Sequence, residues 1–510
     1  MKHLHVVPKK SLLASALLLV LAHPLHAQDA VQNTDDAKRA TSETDATTRD
    51  TVVVTGIRGS LMSSMNLKRD AQGIVDGIVA EDIGKFPDTN LAESLQRISG
   101  VSIDRSMGEG SKVTVRGVGP DFNLVLLNGR QMPASSIEAT NASNSRAFDF
   151  ANLASESISG VEVFKTSRAA TPTGGIGATI NIKTARPLDA GTLANVGMKA
   201  VHDTSASNLP DSMQGDSVTG EISGIFSKVS DDGRFGIALS GSYQDRSAGY
   251  NEAAVGGGWY AFPGGEGPLV NTIANATNPP GVGVIDSIPQ NLMYSVNGIQ
   301  RQRTNAQATL QWAPTDRLTA TLDYTYSENR IQQRRHELST WFNQAASQTS
   351  WTDGPVAAPT SYTEFAGCFN PATEQWTGSN AANVCPDGFE PRWGDLAMAG
   401  ALNSTKNENK SLGFNVEWAV NDNFDLSFDY HSSSAESGAD GPFGSNNVIG
   451  TAAFVRGVTN VDFSGDFPVL SVMLPPGVST VSPSEMMVTG SSFRNSYMKS
   501  EVDQGQIQGT

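Results

Sequence analysis

Residues able to carry out nucleophilic, acid–base or metal chemistry are few and scattered in this chain. His202, His336 and His431 stand singly, and no Ser-His-Asp arrangement or His/Cys ligand cluster stands out. A lone histidine on a strand or loop is usually a plain polar residue. The Gly-Gly-Ile-Gly run at 174–177 lacks the G-x-G-x-x-G spacing and the following helix of a nucleotide-binding loop. The sequence therefore predicts no enzyme, no metal site and no cofactor.

The amino terminus indicates export from the cytoplasm. A basic head precedes a leucine-rich run over residues 11–22 that is too short to span a bilayer, and Ala27 precedes an expected cleavage site. Residues 1–27 are therefore predicted to be a signal peptide. No later stretch approaches the roughly 18 consecutive apolar residues of a membrane helix. The formal net charge of −16 argues against nucleic acid as a partner.

Cys368 and Cys385 are the two cysteines of the chain, and they bracket a loop-like segment with few residues able to build a core. An oxidising compartment favours a disulfide, whereas a metal pair would lack further ligands. Closing a loop of this length contributes about 3 kcal/mol in the chain-entropy model. We predict a disulfide, which either presents Trp376 to a ligand or only braces the loop.

A short valine strand stands alone in a polar part of the chain. It consists of Thr51, Val52, Val53, Val54, Thr55 and Gly56. The preceding residues, 28–49, have almost no large apolar side chain, so residues 28–58 are interpreted as a flexible linker. Such a strand is well suited to pair with the sheet edge of another protein. The alternative is that it forms the first strand of the following domain.

Residues 59–187 have the mixed pattern of a small α+β domain. Leucine or isoleucine at 91, 95 and 98 predicts a short amphipathic helix, with Asn90 and Glu93 as its capping box and Gly100 as its stop. Strands are predicted at 113–115, 124–127, 161–164 and 176–182, the second of which enters an Asn-Gly turn.

After residue 187 the pattern changes to long-looped hairpins, so residues 188–510 are assigned to a β-barrel. Strand pairs alternate apolar and polar residues at 218–226 and 235–243, 306–312 and 318–326, and 412–418 and 424–430. Each strand is expected to have about ten residues. Short turns close the hairpins, whereas the segments between hairpins run to dozens of residues, as in outer-membrane barrels. Trp312 and Trp418 fit an interfacial aromatic girdle. A soluble β-sandwich is the alternative.

These segments resemble TonB-dependent outer-membrane receptors. Residues 51–56 look like the TonB box, and residues 113–117 and 126–130 match the usual strand and turn of the plug domain. The block from Glu81 to Val101 resembles a subgroup common in Xanthomonas- and Caulobacter-type bacteria, many of which are associated with oligosaccharide uptake. The resemblance implies an α+β plug domain followed by an antiparallel transmembrane β-barrel in the cell outer membrane, with TonB and outer-membrane lipid as partners.

Two departures from the family pattern affect this interpretation. Full receptors have 22 barrel strands, of which about eight can be recognised here, and Gln508-Gly509-Thr510 end the chain inside a strand pattern. We therefore expect an amino-terminal fragment of a longer receptor. The segment 28–51 leaves no room for an additional folded signalling domain, so a transducer role is not expected.

The resemblance implies energy-coupled import of a bulky nutrient. Trp259, Tyr260, Trp341 and Trp376 lie in long outer segments. Aromatic faces stack on sugar rings, which makes an oligosaccharide the expected ligand, although packing of the loops against one another is the plainer explanation for any single residue. An iron-siderophore complex is the alternative ligand, and Arg130 and Arg146 near the plug apex are the candidate contacts for it. A non-transporting binding or adhesion protein would not need the plug motifs.

Overall fold

The computed structural model describes residues 57–79, 90–138, 141–153, 158–169, 171–262, 275–343, 346–365, 367–378 and 384–510. All of them belong to one compact unit, Val54–Thr510. The predicted signal peptide, the candidate TonB box at 51–56 and residues 81–89 lie outside the described residues. The same holds for all of the predicted linker except its last two positions.

The first domain contains two helices and nine short strands among the described residues. The helices are α1 (Ile57–Asp70) and α2 (Leu91–Leu95), and single 3-10 turns occur at Pro120–Phe122 and Phe150–Asn152. The strands are β1 (Val75–Val79), β2 (Val101–Ser106), β3 (Glu109–Val115), β4 (Asn123–Leu127), β5 (Arg130–Gln131), β6 (Ile137–Glu138), β7 (Asn141–Ala142), β8 (Ile158–Phe164) and β9 (Ala178–Thr184). Helix α1 begins two residues before the predicted domain boundary.

Asn90 caps helix α2 as the sequence predicts. Its Oδ1 accepts hydrogen bonds from the backbone N–H groups of Ala92 (2.9 Å) and Glu93 (3.3 Å), which the helix cannot satisfy internally. Glu93 has a different role from the predicted capping-box bond. Its carboxylate accepts from Arg105 (2.6 Å) and from the Gly110 N–H (3.0 Å). This side chain therefore ties the helix to the β2–β3 hairpin.

A five-stranded sheet in the order β1-β8-β9-β4-β5 organises this domain. The β4–β9 pair is parallel, and the other pairs are antiparallel. Leu91 and Leu95 pack with Val161, Ile180 and other buried apolar side chains in one core. The predicted strands at 113–115, 124–127 and 161–164 lie within β3, β4 and β8. The strand predicted at 176–182 begins two residues later.

In the described residues that follow, the short helix α3 (Pro187–Ala190) precedes a series of β-strands. The strands are β10 (Leu193–His202), β11 (Val218–Val229), β12 (Phe235–Ala254), β13 (Trp259–Phe262), β14 (Asn275–Thr277), β15 (Ile285–Pro289), β16 (Asn291–Thr315), β17 (Leu318–Trp341), β18 (Ala346–Trp351), β19 (Val356–Ala357), β20 (Pro359–Glu364), β21 (Gly367–Asn370), β22 (Gln375–Gly378), β23 (Glu390–Arg392), β24 (Gly394–Asn421), β25 (Phe424–Ala439), β26 (Asn446–Arg456), β27 (Thr459–Asp462), β28 (Val469–Val472), β29 (Met487–Val488), β30 (Ser492–Arg494) and β31 (Met498–Gly509). Further 3-10 turns occur at Thr204–Ala206 and Pro483–Glu485.

Eight of these strands pair antiparallel in the order β10-β11-β12-β16-β17-β24-β25-β31. Strands β10 and β31 are the edge strands of this series and do not pair with each other. The described residues thus contain a plug domain followed by an antiparallel sheet of the expected kind. The predicted length of about ten residues is wrong for the central strands, since β16, β17 and β24 have 25, 24 and 28 residues. Their outer halves carry apolar residues such as Leu292, Ile331 and Met398 without a strict alternation of apolar and polar positions, so the pattern did not reveal them. Strand β10 was also not predicted from the sequence.

The two faces of this sheet differ in polarity. One face buries polar side chains: Gln307, Thr309, Gln311, Thr321, Asp323, Thr325, Ser327, Asn329, Asn409, Ser411, Asp429, His431 and Ser433. The other face exposes large apolar ones: Ile222, Phe226, Phe235, Leu239, Tyr243, Leu310, Trp312, Leu322, Tyr324, Leu412, Phe414, Trp418, Phe424, Phe428, Tyr430 and Ile507. This distribution inverts that of a water-soluble sheet, in which apolar side chains are hidden.

The long connections fold into smaller sheets of their own. Strands β14, β18, β20, β27 and β28 form one sheet, β13, β15 and β19 a second, and β21–β23 a third. Ile288, Leu292, Phe342, Tyr362 and Val461 form a buried cluster that joins two of these sheets to the ends of β16 and β17. The segments interpreted as loops therefore contain a core. No helix in the described ranges is long and apolar enough to cross a membrane.

Candidate functional site

The plug meets the polar face of the large sheet through a buried arginine. Arg130 follows the turn at Asn128 and Gly129, whose φ angles of 52° and 84° suit an Asn-Gly turn. Its Nη1 lies 2.7 Å from Asp323 on β17, and its Nε lies 2.9 Å from Asp429 on β25. All three side chains are at most 9% exposed. The guanidinium therefore binds two carboxylates of the sheet in a largely buried site.

The residues around Arg130 stabilise its charge and leave space for its guanidinium. Burial by itself lowers the pKa of Arg130, but the hydrogen bonds to Asp429 and the charge of Asp323 outweigh it, so the pKa lies above its ordinary value. A Cβ added at Gly413 would lie 1.7 Å from Nη1 of Arg130, so the strand must carry glycine there. Asn415 donates to Asp429 at 3.2 Å. This group is named the arginine cluster and comprises Arg130, Asp323 and Asp429.

A second cluster, in which a plug carboxylate binds two guanidinium groups of the sheet, lies on a different strand, β16. Glu109 of β3 contacts Arg301 (2.6 Å) and Arg303, both on β16. Arg303 also donates to the Ala151 carbonyl (2.6 Å) and to Gln244 of β12 (2.6 Å). Burial by itself raises the pKa of Glu109, but the two guanidinium groups hold it well below its ordinary range. Glu109, Arg301 and Arg303 are named the glutamate cluster.

Uncharged hydrogen bonds supplement the two clusters. Asn329 of β17 donates to Asn152 of the plug at 3.2 Å, and the hydroxyls of Ser135 and Ser437 lie 3.0 Å apart. His431 lies 3.2 Å from the Gln131 carbonyl. These contacts between plug and sheet are thus all polar. Its buried charges are compensated across the interface rather than within either partner.

The candidate ligand residues near the plug are in different environments. Arg130, a candidate siderophore contact, is buried and engaged with two carboxylates, so the structure places it in the plug–sheet interface and not at an open surface. Arg146 is exposed and donates to the Gly174 carbonyl at 3.4 Å. Asp121 holds this segment, because its carboxylate accepts from the Ser145 hydroxyl (2.5 Å) and from the Arg146 N–H (3.1 Å).

The outer aromatic residues fall into separate groups. Trp259 packs against Phe463 with a centroid distance of 5.5 Å, and Tyr260 packs against the buried cluster of the outer sheets. Trp341 is 48% exposed at the end of β17. Trp351 of the same segments is a core residue, since it is only 3% exposed. The structure therefore leaves Trp259 and Trp341 accessible and gives Tyr260 a packing role.

Cys368 and Cys385 are joined by a disulfide in the structure, with their Cα atoms 5.6 Å apart. Cys368 belongs to β21, the central strand of the three-stranded sheet β22-β21-β23. Trp376 is 66% exposed on β22 and packs against Phe369 at 4.9 Å. Arg392 lies over the same phenyl ring at 5.2 Å. Trp376 therefore belongs to a different sheet from Trp259, which lies on β13, and from Trp341, which lies on β17.

Sequence reasoning did not identify the partners of Arg130 or the glutamate cluster. A signal was present, because Asp323 stands between Leu322 and Tyr324, and Asp429 between Phe428 and Tyr430. In strict alternation, a carboxylate between two outward apolar residues must point to the hidden face. Its partner could not be inferred, since that depends on where the plug lies. Over the described ranges no group of three or more potential metal ligands is present.

Comparison with known proteins agrees with the division into plug and sheet. The family described as "TonB-dependent Receptor Plug Domain" matches residues 67–179. No curated protein sequence is significantly similar to the chain. A solved ferric enterobactin receptor from Pseudomonas aeruginosa (PfeA, mutant R480A_Q482A) is 12% identical, with a TM-score of 0.34, over 81% of this chain and 57% of that receptor.

Two other solved structures give similar values. The outer membrane transporter YddB from Escherichia coli is 11% identical, with a TM-score of 0.33, over 76% of this chain and 56% of its own. The ferric citrate transporter FecA is 12% identical, with a TM-score of 0.30, over 78% of this chain and 74% of its own. The chain thus spans little more than half the length of PfeA and YddB. Residues 67–179 form a plug domain of the TonB-dependent receptor type.

Proposed function

We propose that this chain is an outer-membrane receptor that imports a bulky nutrient, an oligosaccharide, by TonB-dependent energy coupling. One observation carries the proposal: a plug domain over residues 67–179 is seated on the polar face of an antiparallel sheet whose opposite face is apolar. A plug on the inner face and apolar side chains on the outer face are what a plugged barrel in lipid requires. A non-transporting outer-membrane binding or adhesion protein would not need the plug.

The extent of the apolar face supports a membrane location. On β17 the large outward side chains run from Leu318 to Tyr326, after which Glu328 and Arg330 follow on the same face. Eight residue steps of about 3.4 Å span about 27 Å along the strand, which at a tilt of about 35–45° covers about 20 Å of the roughly 25 Å height of an outer-membrane apolar band. Trp312 and Trp418 are exposed near the short turns, at one margin of this band. Outer-membrane lipid is therefore the proposed neighbour of this face.

The polar plug–sheet interface supports a plug that can move. Ion pairs and amide hydrogen bonds can be exchanged for contacts with water, whereas a tightly packed apolar interface would have to be exposed at full cost. In the proposed cycle, ligand binding on the outer side alters the plug and makes Thr51–Gly56 available in the periplasm. TonB then pairs with this segment by β-strand addition and pulls on the plug.

An oligosaccharide is preferred to an iron-siderophore complex as ligand. The engagement of Arg130 by Asp323 and Asp429 removes one of the two arginines proposed for an anionic ligand, and Arg146 remains. Exposed Trp259, Trp341 and Trp376 offer rings for stacking on sugars. Growth of a deletion strain on oligosaccharides, compared with its growth under iron limitation, distinguishes the two ligands.

The experiment that tests energy coupling uses Val53→Pro with Val53→Thr as the matched control. Proline removes a backbone donor from the strand that TonB would pair with, whereas threonine keeps both the donor and the β-propensity. We expect Val53→Pro to abolish uptake of labelled ligand by cells without weakening its binding, and Val53→Thr to transport normally. Normal uptake by Val53→Pro would refute the assignment of residues 51–56 as the TonB box.

A further inference from the structure

Trp341 lies on the same face of the sheet as the plug contacts. Asn329 of the same strand hydrogen-bonds to Asn152 of the plug, and Trp341 follows it by twelve positions. The pairing of β17 with β16 is in continuous register between these two residues. An even separation in an unbroken strand places both side chains on one face. Trp341 therefore stands above the plug contacts, at the outer end of the polar face.

The ring of Trp341 lies against a glycine turn in which even a Cβ would be tightly packed. A Cβ added at Gly257 would be 3.0 Å from Cζ3 of the indole and 3.2 Å from Oδ1 of Asn291. The Gly257 N–H donates to the same Oδ1 at 2.7 Å, which fixes the turn. Nearly half of the tryptophan surface nevertheless remains exposed. One part of the ring is thus positioned by backbone, and the rest is open.

The strand end that carries this ring is braced from behind. Arg456 donates to the Trp341 carbonyl at 2.6 Å and pairs with Glu364, and both charged side chains are 2% exposed. The adjacent Phe342 points to the opposite face and is buried in the cluster that contains Tyr362. A ring on a rigid support loses little conformational entropy when a ligand stacks on it.

The surrounding face offers no free positive charge. Over residues 250–254, 291–299, 333–341 and 397–403, the charged side chains that alternation places on this face are Glu252, Arg335 and Glu337. Arg335 is paired with Glu337 at 3.2 Å. One guanidinium and two carboxylates leave a net charge of −1. An anionic ligand would be repelled here, whereas a neutral one would not.

We propose that Trp341, seated on the turn at Gly257, is a stacking platform for a neutral sugar ring of the imported ligand. This inference rests on the proposed receptor function and assigns the residue that contacts the ligand. The exposed indole would cover the apolar face of a pyranose ring, and the neutral polar groups beside it would meet its hydroxyls. Trp376 lies on a separate sheet and is not part of this platform.

The test measures binding of maltohexaose, cellohexaose and xylohexaose to the full chain in lauryldimethylamine oxide, a detergent without a sugar headgroup. Calorimetry would compare wild type, Trp341→Ala, Trp341→Phe and Gly257→Ala. Gly400→Ala is the matched control, because a Cβ added there has nothing within 4 Å. We expect about tenfold weaker binding in Trp341→Ala and a clear loss in Gly257→Ala. Trp341→Phe and Gly400→Ala should bind nearly as wild type.

The outcomes separate the platform from the proposed function. If a hexasaccharide binds wild type and Trp341→Ala equally well, the platform is refuted and the oligosaccharide receptor stands. If none of the three hexasaccharides binds but ferric enterobactin does, the ligand is not an oligosaccharide. The stacking role of Trp341 is then refuted as well. Trp341→Phe keeps the test valid should Trp341→Ala fail to fold. A loss in Trp341→Phe as large as that in Trp341→Ala would also refute stacking.

Discussion

Arg130 and Asp323 are 193 residues apart in the chain, yet the Nη1 of one lies 2.7 Å from a carboxylate oxygen of the other, and both side chains are 4% exposed. Asp429 completes the arginine cluster from a different strand. An ion pair of this kind is weak evidence for stability as such, but removal of one partner leaves charge buried without compensation. The arginine therefore contributes strongly to holding the plug on these strands.

Replacement of Arg130 by methionine should destabilise the seated plug by about 3–5 kcal/mol, because Asp323 and Asp429 would be left buried beside each other. Protease susceptibility of the plug and the unfolding temperature in detergent measure the effect. Arg186→Met is the matched control, since Arg186 also pairs with a strand residue, Glu417 at 3.5 Å, but with side chains 34% and 54% exposed. Its cost should stay below about 1 kcal/mol. Equal effects of the two substitutions would contradict the assignment.

Gly413→Ala should reproduce the defect of Arg130→Met without altering any charge. The added methyl group would lie 1.7 Å from Nη1 of Arg130, so the guanidinium would have to move and would weaken its bonds to Asp323 and Asp429. Gly400→Ala on the same strand meets no atom within 4 Å and should be neutral. The unfolding temperatures of the two alanine variants give a direct comparison. A Gly413→Ala protein as stable as Gly400→Ala would show that the arginine is placed differently.

Local features of the fold could be predicted because their causes lie within a few residues. The Asn128-Gly129 turn follows from two residues that tolerate positive φ, and the cap at Asn90 needs only the next three residues. The hairpins of the large sheet follow from alternation and short turns. Their full lengths could not be predicted, since the outer strand halves carry polar residues on both faces and depend on neighbouring strands for their pairing.

The candidate site was less predictable because it depends on strand register. The sequence marks Arg130 as part of a plug motif, but its partners follow only from the pairing that brings β17 and β25 beside the plug. The accessibility of Trp341 likewise depends on Gly257 and Arg456, which lie 84 positions before it and 115 after it. Burial of Trp351 and exposure of Trp341, ten residues apart, cannot be distinguished by residue type alone.

The glutamate cluster should make plug seating sensitive to acid. Arg301 and Arg303 hold the pKa of Glu109 well below its ordinary value of 4.5. A carboxylate whose pKa is lowered by folding gives a stabilisation that is complete above the unfolded pKa and is lost as pH falls toward the folded value. The unfolding temperature of wild type should therefore drop below about pH 4.5, and the advantage of wild type over Glu109→Gln should shrink there.

Unfolding temperatures from pH 7 to pH 3.5 for both proteins test this expectation. Glu417→Gln, which alters an exposed carboxylate, serves as the control and should follow wild type throughout. A gap between wild type and Glu109→Gln that stays constant across this range would contradict the role of the ionised Glu109 in holding the plug.

The disulfide between Cys368 and Cys385 should brace the three-stranded sheet that carries Trp376. A sequence separation of 17 residues corresponds to about 3 kcal/mol of loop-closure stabilisation. Denatured, non-reduced protein should show no labelling of either cysteine with maleimide. The Cys368→Ser, Cys385→Ser double variant should be cleaved faster by protease between residues 367 and 392, with the unfolding temperature of the large sheet unchanged. If the double variant and Trp376→Ala both bind the hexasaccharides as tightly as wild type, the disulfide stabilises the loop and has no role in ligand binding. Labelling of both cysteines in non-reduced wild type would show that no bridge forms.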